Sequence, residues 1–176
     1  WSNHNCRRRR RHECFSALSS INTSLPPETP QTSASIKPNV QIYPEQQYTL
    51  CYDGRSRRGG GNGNGNGGAP SSGSGTVLYN SNGTEIWSSS QPYAGDISIY
   101  EASYKGLISG LRHAKLLGLQ HINITGCNDL LHKQIEGLNQ VKKPSLKEYY
   151  HEVMSLKEQF SSFEMNFVNK TKQDKL

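Results

Sequence analysis

One short stretch constrains this chain more than any other: Tyr-Thr-Leu-Cys-Tyr-Asp-Gly at 48–54. Its β-prone residues, closed by a turn-forming Gly, have the pattern of a buried strand. Alternation along a strand puts Thr49, Cys51 and Asp53 on one face. A carboxylate at the end of a core strand is costly unless it finds a partner, such as a donor or a metal ion. Two roles are therefore open to Asp53: capping the turn that follows, or serving in a site.

The segment 54–75 reads as a glycine-rich loop. Arg55, Ser56, Arg57 and Arg58 lead into a Gly/Asn run at 59–68 that cannot bury a core. It is not a P-loop, because no Gly-Lys-Ser/Thr follows and no helix starts there. The arginines suit phosphate contact or a solubilising surface. The hydrophobic fraction, 32%, is low for a fully globular chain, so part of the sequence stays outside the core. That part is expected at 1–46, a basic, Ser/Pro-rich tail without hydrophobic period, read as disordered. An arginine run at 7–11, many serines and few acids fit an organellar targeting remnant, an arm for nucleic acid, or a solvated tail. His4, Cys6, His12 and Cys14 have no standard zinc-finger spacing. The net charge of +6 suits a polyanionic partner such as nucleic acid, or a merely solvated basic surface. No apolar run reaches the length of a membrane span. The four widely spread cysteines read as reduced thiols.

From residue 47 onward the pattern becomes regular. Strands are expected at 75–79 and 84–87, joined by Asn80-Ser81-Asn82-Gly83, a strong turn signal. With 48–54 they form an antiparallel meander, in which Trp87 is a packing residue. Tyr104, Leu107, Ile108, Leu111 and Ala114 trace one apolar face of a helix that Gly118 ends. Glu101 lies near that face at the N-terminal end. It suits the helix dipole, or it reaches into a site at the sheet. His121 to Thr125 alternates as a fourth strand, and Asn128 or Asp129 caps a short helix ended by Gly137. This order suggests a parallel crossover. Ser145-Leu146-Lys147-Glu148 reads as a capping box for a third helix with Leu146, Tyr149, Tyr150, Val153, Leu156 and Phe160 inward. Phe163, Met165 and Phe167 alternate as a fifth strand. Lys142, Lys143 and Lys147 offer a basic face for a backbone.

Across 46–176 the order strand, strand, strand, helix, strand, helix, helix, strand resembles the ribonuclease H-like family. The residues that carry the resemblance are Tyr52-Asp53-Gly54-Arg55-Ser56, Gly73 to Tyr79, the helix Tyr100-Glu101-Ala102-Ser103-Tyr104-Lys105-Gly106-Leu107, and the final Asp174-Lys175-Leu176. Gly126-Cys127-Asn128-Asp129-Leu130-Leu131 stands where the family has Gly-Asp-Ser-x-Leu-Val. The resemblance implies an α/β fold: a mixed five-stranded sheet of antiparallel meander plus parallel strands, with flanking helices. It also implies Asp53, Glu101 and Asp174 as ligands of Mg²⁺ or Mn²⁺, which activate water on an RNA phosphodiester. Cys127 takes the place of a further acid, and a thiol is a poor ligand for a hard cation. The family's polar Thr-Asn-Asn run before its glutamate is here Ser98-Ile99-Tyr100, and the chain stops two residues after Asp174.

The expectation is thus an RNase H-like domain over 47–176 that binds an RNA–DNA hybrid or structured RNA, with hydrolysis weakened or lost at Cys127. The candidate contacts are Arg55, Ser56, Arg57, Arg58, Lys142 and Lys143. Two alternatives stand beside it. One is an active metal-dependent ribonuclease H. The other is a structural or protein-interaction subunit of a larger assembly.

Overall fold

A computed structural model describes residues 33–36, 41–57 and 71–168. The arginine run at 7–11, His4, Cys6, His12, Cys14, Arg58, the Gly/Asn run and Asp174 lie outside the described residues. In chain order the elements are β1 (Ser33–Ile36), β2 (Gln47–Arg57), β3 (Ser71–Tyr79), β4 (Glu85–Tyr93), α1 (Ile99–Leu116), β5 (His121–Gly126), α2 (Asp129–Ile135), α3 (Pro144–Lys157) and β6 (Ser162–Phe167).

The strands form one mixed sheet in the order β1-β4-β3-β2-β5-β6. β2, β3 and β4 are the antiparallel meander, while β2–β5 and β5–β6 are parallel. The expected five strands are therefore all present, with the expected change from antiparallel to parallel at β2. A sixth strand corrects the reading of 1–46 as a wholly disordered tail. Ser33–Ile36 pairs antiparallel with Trp87–Ser90 of β4. Pairing there uses the backbone of a sheet edge, so a four-residue Ser-Ala-Ser-Ile segment needs no hydrophobic period to join it.

The glycine-rich loop also proves shorter than 54–75. β2 continues to Arg57 and β3 begins at Ser71, with Asp53 opposite Gly75 and Arg57 opposite Ser71. Gly and Ser carry little strand signal, so ladder pairing, not side-chain preference, extends these two strands.

α1 buries Tyr104, Leu107, Ile108, Leu111 and Ala114, as its periodicity predicts. Each large apolar side chain among them contributes about 1.5–3 kcal/mol if fully withdrawn from water. Its small residues lie against the sheet. A Cβ on Gly106 would come within 3.0 Å of Ser74, and one on Gly110 within 2.5 Å of Leu50. The Thr76 hydroxyl donates to the Gly106 carbonyl across this seam at 2.7 Å. The other side of α1 meets α3 through Tyr104–Tyr149 ring stacking and the Arg112–Glu152 ion pair. Trp87 is buried and stacks on His113, as befits a packing residue.

The capping box expected at Ser145–Glu148 is absent. Pro144 occupies the first turn, Lys143 is the N-cap, and no side chain caps α3. The fixed φ of proline starts the helix one residue before Ser145 can act as a cap. A capping box does form, but at Ser98 and Glu101 on α1.

Candidate active site

The parallel pairing of β2 with β5 ends with Tyr52 opposite Gly126, where β5 stops and β2 runs on beside β3 alone. The carboxyl ends of parallel strands are where open α/β sheets place ligands, because the loops that follow diverge there. Asp53 follows Tyr52 on one strand, and Cys127 follows Gly126 on the other. The two meet: the Cys127 thiol donates to Asp53 Oδ1 at 3.1 Å, and that same oxygen accepts the Gly54 N–H at 3.0 Å. Asp53 is only 5% exposed. The turn that the sequence led one to expect after Asp53 is absent, because β2 runs on to Arg57; the carboxylate instead accepts from the next strand residue and from the thiol.

Close approach makes this junction possible. A Cβ on Gly126 would lie within 2.5 Å of the Tyr52 ring and hydroxyl, so only glycine lets the ring cross the neighbouring strand. Burial, with Cys127, Tyr104 and Asp53 adding, pushes the Tyr52 phenol well above its ordinary range and keeps it neutral. Gly54 is equally constrained: a Cβ there would sit 2.4 Å from the Ser103 amide nitrogen of α1. Ser103 is 1% exposed, and its hydroxyl donates to the Ile99 carbonyl at 2.7 Å. It accepts from the Asn128 side-chain amide at 3.1 Å. Asn128 in turn caps α2 through the Leu131 N–H, as its position in the sequence predicts. Asp53, Gly54, Ser103, Asn128 and Cys127 thus form a closed circuit of chain neighbours and contacts at the strand ends.

Glu101 does not join that circuit. The Ser98 N–H and hydroxyl each donate to its Oε2 at 2.8 Å, and the Glu101 N–H returns a bond to Ser98 Oγ. Lys143 Nζ lies 3.8 Å from its other oxygen. Burial pushes the Glu101 carboxyl up, but the two Ser98 donors, the Ser145 hydroxyl and Lys143 outweigh it. The group is held below the ordinary carboxylate value. Glu101 thus joins the N-termini of α1 and α3. Its carboxylate takes the cap-and-dipole position that the sequence left open beside metal ligation. The physical reason is helix phase: residues 101 and 103 stand about 200° apart on the cylinder, so only one of them faces the strand end.

Asp129, two residues past Cys127, does not replace the missing acid either. It is half exposed and paired with Lys133 at 2.6 Å. Among the described residues no group of three or more His, Cys, Asp or Glu side chains gathers to hold a metal ion. Among the described residues, the donors at the strand end are one carboxylate, one thiol, a hydroxyl and an amide. That set does not fit Mg²⁺, which selects charged and neutral oxygens in octahedral array. Arg55 and Arg57 are exposed on the continuation of β2, with Ser56 half-buried between them, and Lys142 and Lys143 are exposed before α3. Ser103 is the site residue that the sequence reading passed over. Its signal is the small-residue spacing Ser103, Gly106, Gly110, which marks the side of α1 nearest the sheet.

A family model described as reverse transcriptase-like matches residues 62–174. Among solved structures, the N-terminal RNase H domain of Rv2228c from Mycobacterium tuberculosis, determined as a fusion with maltose-binding protein, is 26% identical with a TM-score of 0.63. That alignment covers 73% of this chain and 86% of that one. RNase H1 from the halophilic archaeon Halobacterium salinarum is 22% identical, TM-score 0.60, covering 70% of this chain and 86% of that one. LC11-RNase H1, solved in complex with an RNA/DNA hybrid, is 21% identical, TM-score 0.59, covering 72% and 88%. No curated protein matches the chain.

Proposed function

This chain belongs to the reverse transcriptase-like family and has the ribonuclease H-like fold, and on that premise we propose that it binds RNA–DNA hybrid or structured RNA without efficient hydrolysis. The observation that carries the reading is the Cys127 thiol donating to Asp53 Oδ1 at 3.1 Å. Where two-metal hydrolysis needs adjoining carboxylates to share a cation, this junction has one carboxylate whose neighbour is a hydrogen-bond donor. A thiol is also a poor ligand for a hard cation such as Mg²⁺.

Binding needs none of that chemistry. A-form duplexes are recognised through shape, 2′-hydroxyls and phosphates. Exposed Arg55 and Arg57, the flanking Lys142 and Lys143, and a net charge of +6 support phosphate contact. LC11-RNase H1 offers a precedent for a hybrid on this fold. Divalent metal dependence would follow only from an active site of the kind the resemblance implies, with Asp53 as the acid this chain retains in place at the strand end.

The test is a fluorescence-anisotropy titration of labelled hybrid, RNA duplex and DNA duplex across a salt series, with cleavage followed on gels in Mg²⁺ and Mn²⁺. The expected result is hybrid binding that weakens steeply with salt, with no cleavage above the metal-free blank. Replacing Arg55 and Arg57 by Gln should lower the salt slope by about one for each phosphate that is no longer neutralised. Efficient metal-dependent cleavage abolished by Asp53→Asn would overturn the loss of hydrolysis, and absence of any salt-sensitive duplex binding would overturn the binding role.

A further inference from the structure

We infer that Ser103, not Glu101, is the α1 position that addresses the Asp53–Cys127 strand end, so two of the site's positions lack an acid and restoring Cys127 alone recovers no divalent-cation site. The inference deepens the proposed loss of hydrolysis, but it concerns cation binding and stands or falls without any nucleic acid.

The geometry is a closed circuit. Asp53 is bonded to Cys127, Cys127 is followed by Asn128, Asn128 is bonded to Ser103, and Ser103 abuts Gly54, which follows Asp53. Ser103 is the α1 residue whose side chain bonds to this circuit, with the Ala102–Ser103 backbone against Gly54. Position 101 points its carboxylate to Ser98 and Lys143 at the junction with α3. Moving that carboxylate to the strand end would break both hydrogen bonds that Ser98 donates to it and the approach to Lys143, and would require its helix turn to rotate. Among the described residues, the circuit sets neutral donors around the Asp53 carboxylate. Aspartate at 127 would therefore meet Asp53 as a second carboxylate at hydrogen-bonding distance, with no further anionic ligand from α1. Like charges that close oppose each other's ionisation, and two acids supply fewer ligands than a hard dication takes. An acid at 103 completes three.

The experiment is Mn²⁺ binding by electron paramagnetic resonance on the full chain, with circular dichroism to verify folding. Wild type and Cys127→Asp should show only weak, non-saturating Mn²⁺ uptake. The pair Ser103→Glu with Cys127→Asp should bind saturably, about tenfold or more tighter. Ser103 is buried beside Gly54, so Ser103→Asp with Cys127→Asp serves as a shorter substitute if the glutamate prevents folding. Adding Glu101→Gln to the double variant should leave Mn²⁺ affinity unchanged while lowering the thermal midpoint. Saturable Mn²⁺ binding by wild type or Cys127→Asp that Glu101→Gln abolishes would overturn the inference by making Glu101 the ligand. A folded double variant that takes up no more Mn²⁺ than wild type would overturn it as well, by showing that position 103 does not reach the strand end. Either result leaves the hybrid-binding measurement free to succeed or fail by itself.

Discussion

Two polar clusters lie within one helical turn of each other, and each contains a single carboxylate. At the strand end, Asp53 accepts from a thiol and from the next backbone N–H, with Ser103 and Asn128 completing the surroundings. At the helix junction, Glu101 accepts from the Ser98 backbone and hydroxyl and faces Lys143. The first cluster sits where ligands bind on this type of sheet, yet the described groups that bond to its carboxylate are a thiol and a backbone amide. The second has the cation and the donors, yet its work is to tie α1 to α3. An acid near a site is therefore no evidence of an acid in the site. The direction of the side chain around its helix decides which cluster it serves.

The contrast is broken most severely at Gly54. Its absent Cβ is what lets β2 lie against Ser103. Gly54→Ala should cost about 3 kcal/mol in urea unfolding, because the clash is with backbone and not with a flexible side chain. A cost under about 0.5 kcal/mol, the level of an ordinary surface change, would show that the contact is slack. Next comes Ser98→Ala, which removes the cap and one donor to Glu101. About 1 kcal/mol should be lost, with hydrogen exchange quickening in the first turn of α1 and not at Cys127.

The pH response sharpens the comparison further. Glu101 has a folded pKa below its unfolded value of 4.5. Its contribution is therefore present above that value and is lost as pH falls through the folded pKa. Wild-type stability should drop over this acidic window, and Glu101→Gln should flatten the drop. An unchanged profile would place the acid sensitivity elsewhere. The smallest effect is expected at Lys143, which is more than half exposed and 3.8 Å from Glu101. Lys143→Gln should cost about 0.5 kcal/mol or less and should fade in high salt.

Much of this architecture is legible in the residues themselves. The apolar stripe of α1, the alternating strands, the Asn128 cap and the Asp53–Cys127 meeting all follow from periodicity, turn chemistry and the family pattern. Less legible is whatever depends on backbone pairing alone. β1 and the inner ends of β2 and β3 consist largely of Ser, Gly and Arg, which carry no period. The capping box is a different case. Ser98-x-x-Glu101 is written in the sequence as plainly as Ser145-x-x-Glu148, and only the first is used. Pro144 decides the second by starting its helix early. The role of Ser103 could be read only by setting helix phase beside the small residues at 106 and 110, because a serine announces no chemistry of its own.

Trp87 lies face to face with His113, ring centres 4.2 Å apart, on the strand that also carries β1. Burial lowers the His113 pKa, so the ring beside the indole gains its proton at lower pH than an ordinary histidine. A charged imidazole quenches indole emission by drawing electron density from its excited state. The molecule thus carries an optical gauge away from the strand ends, whose dimming on acidification would register the proton that His113 takes up beside the indole.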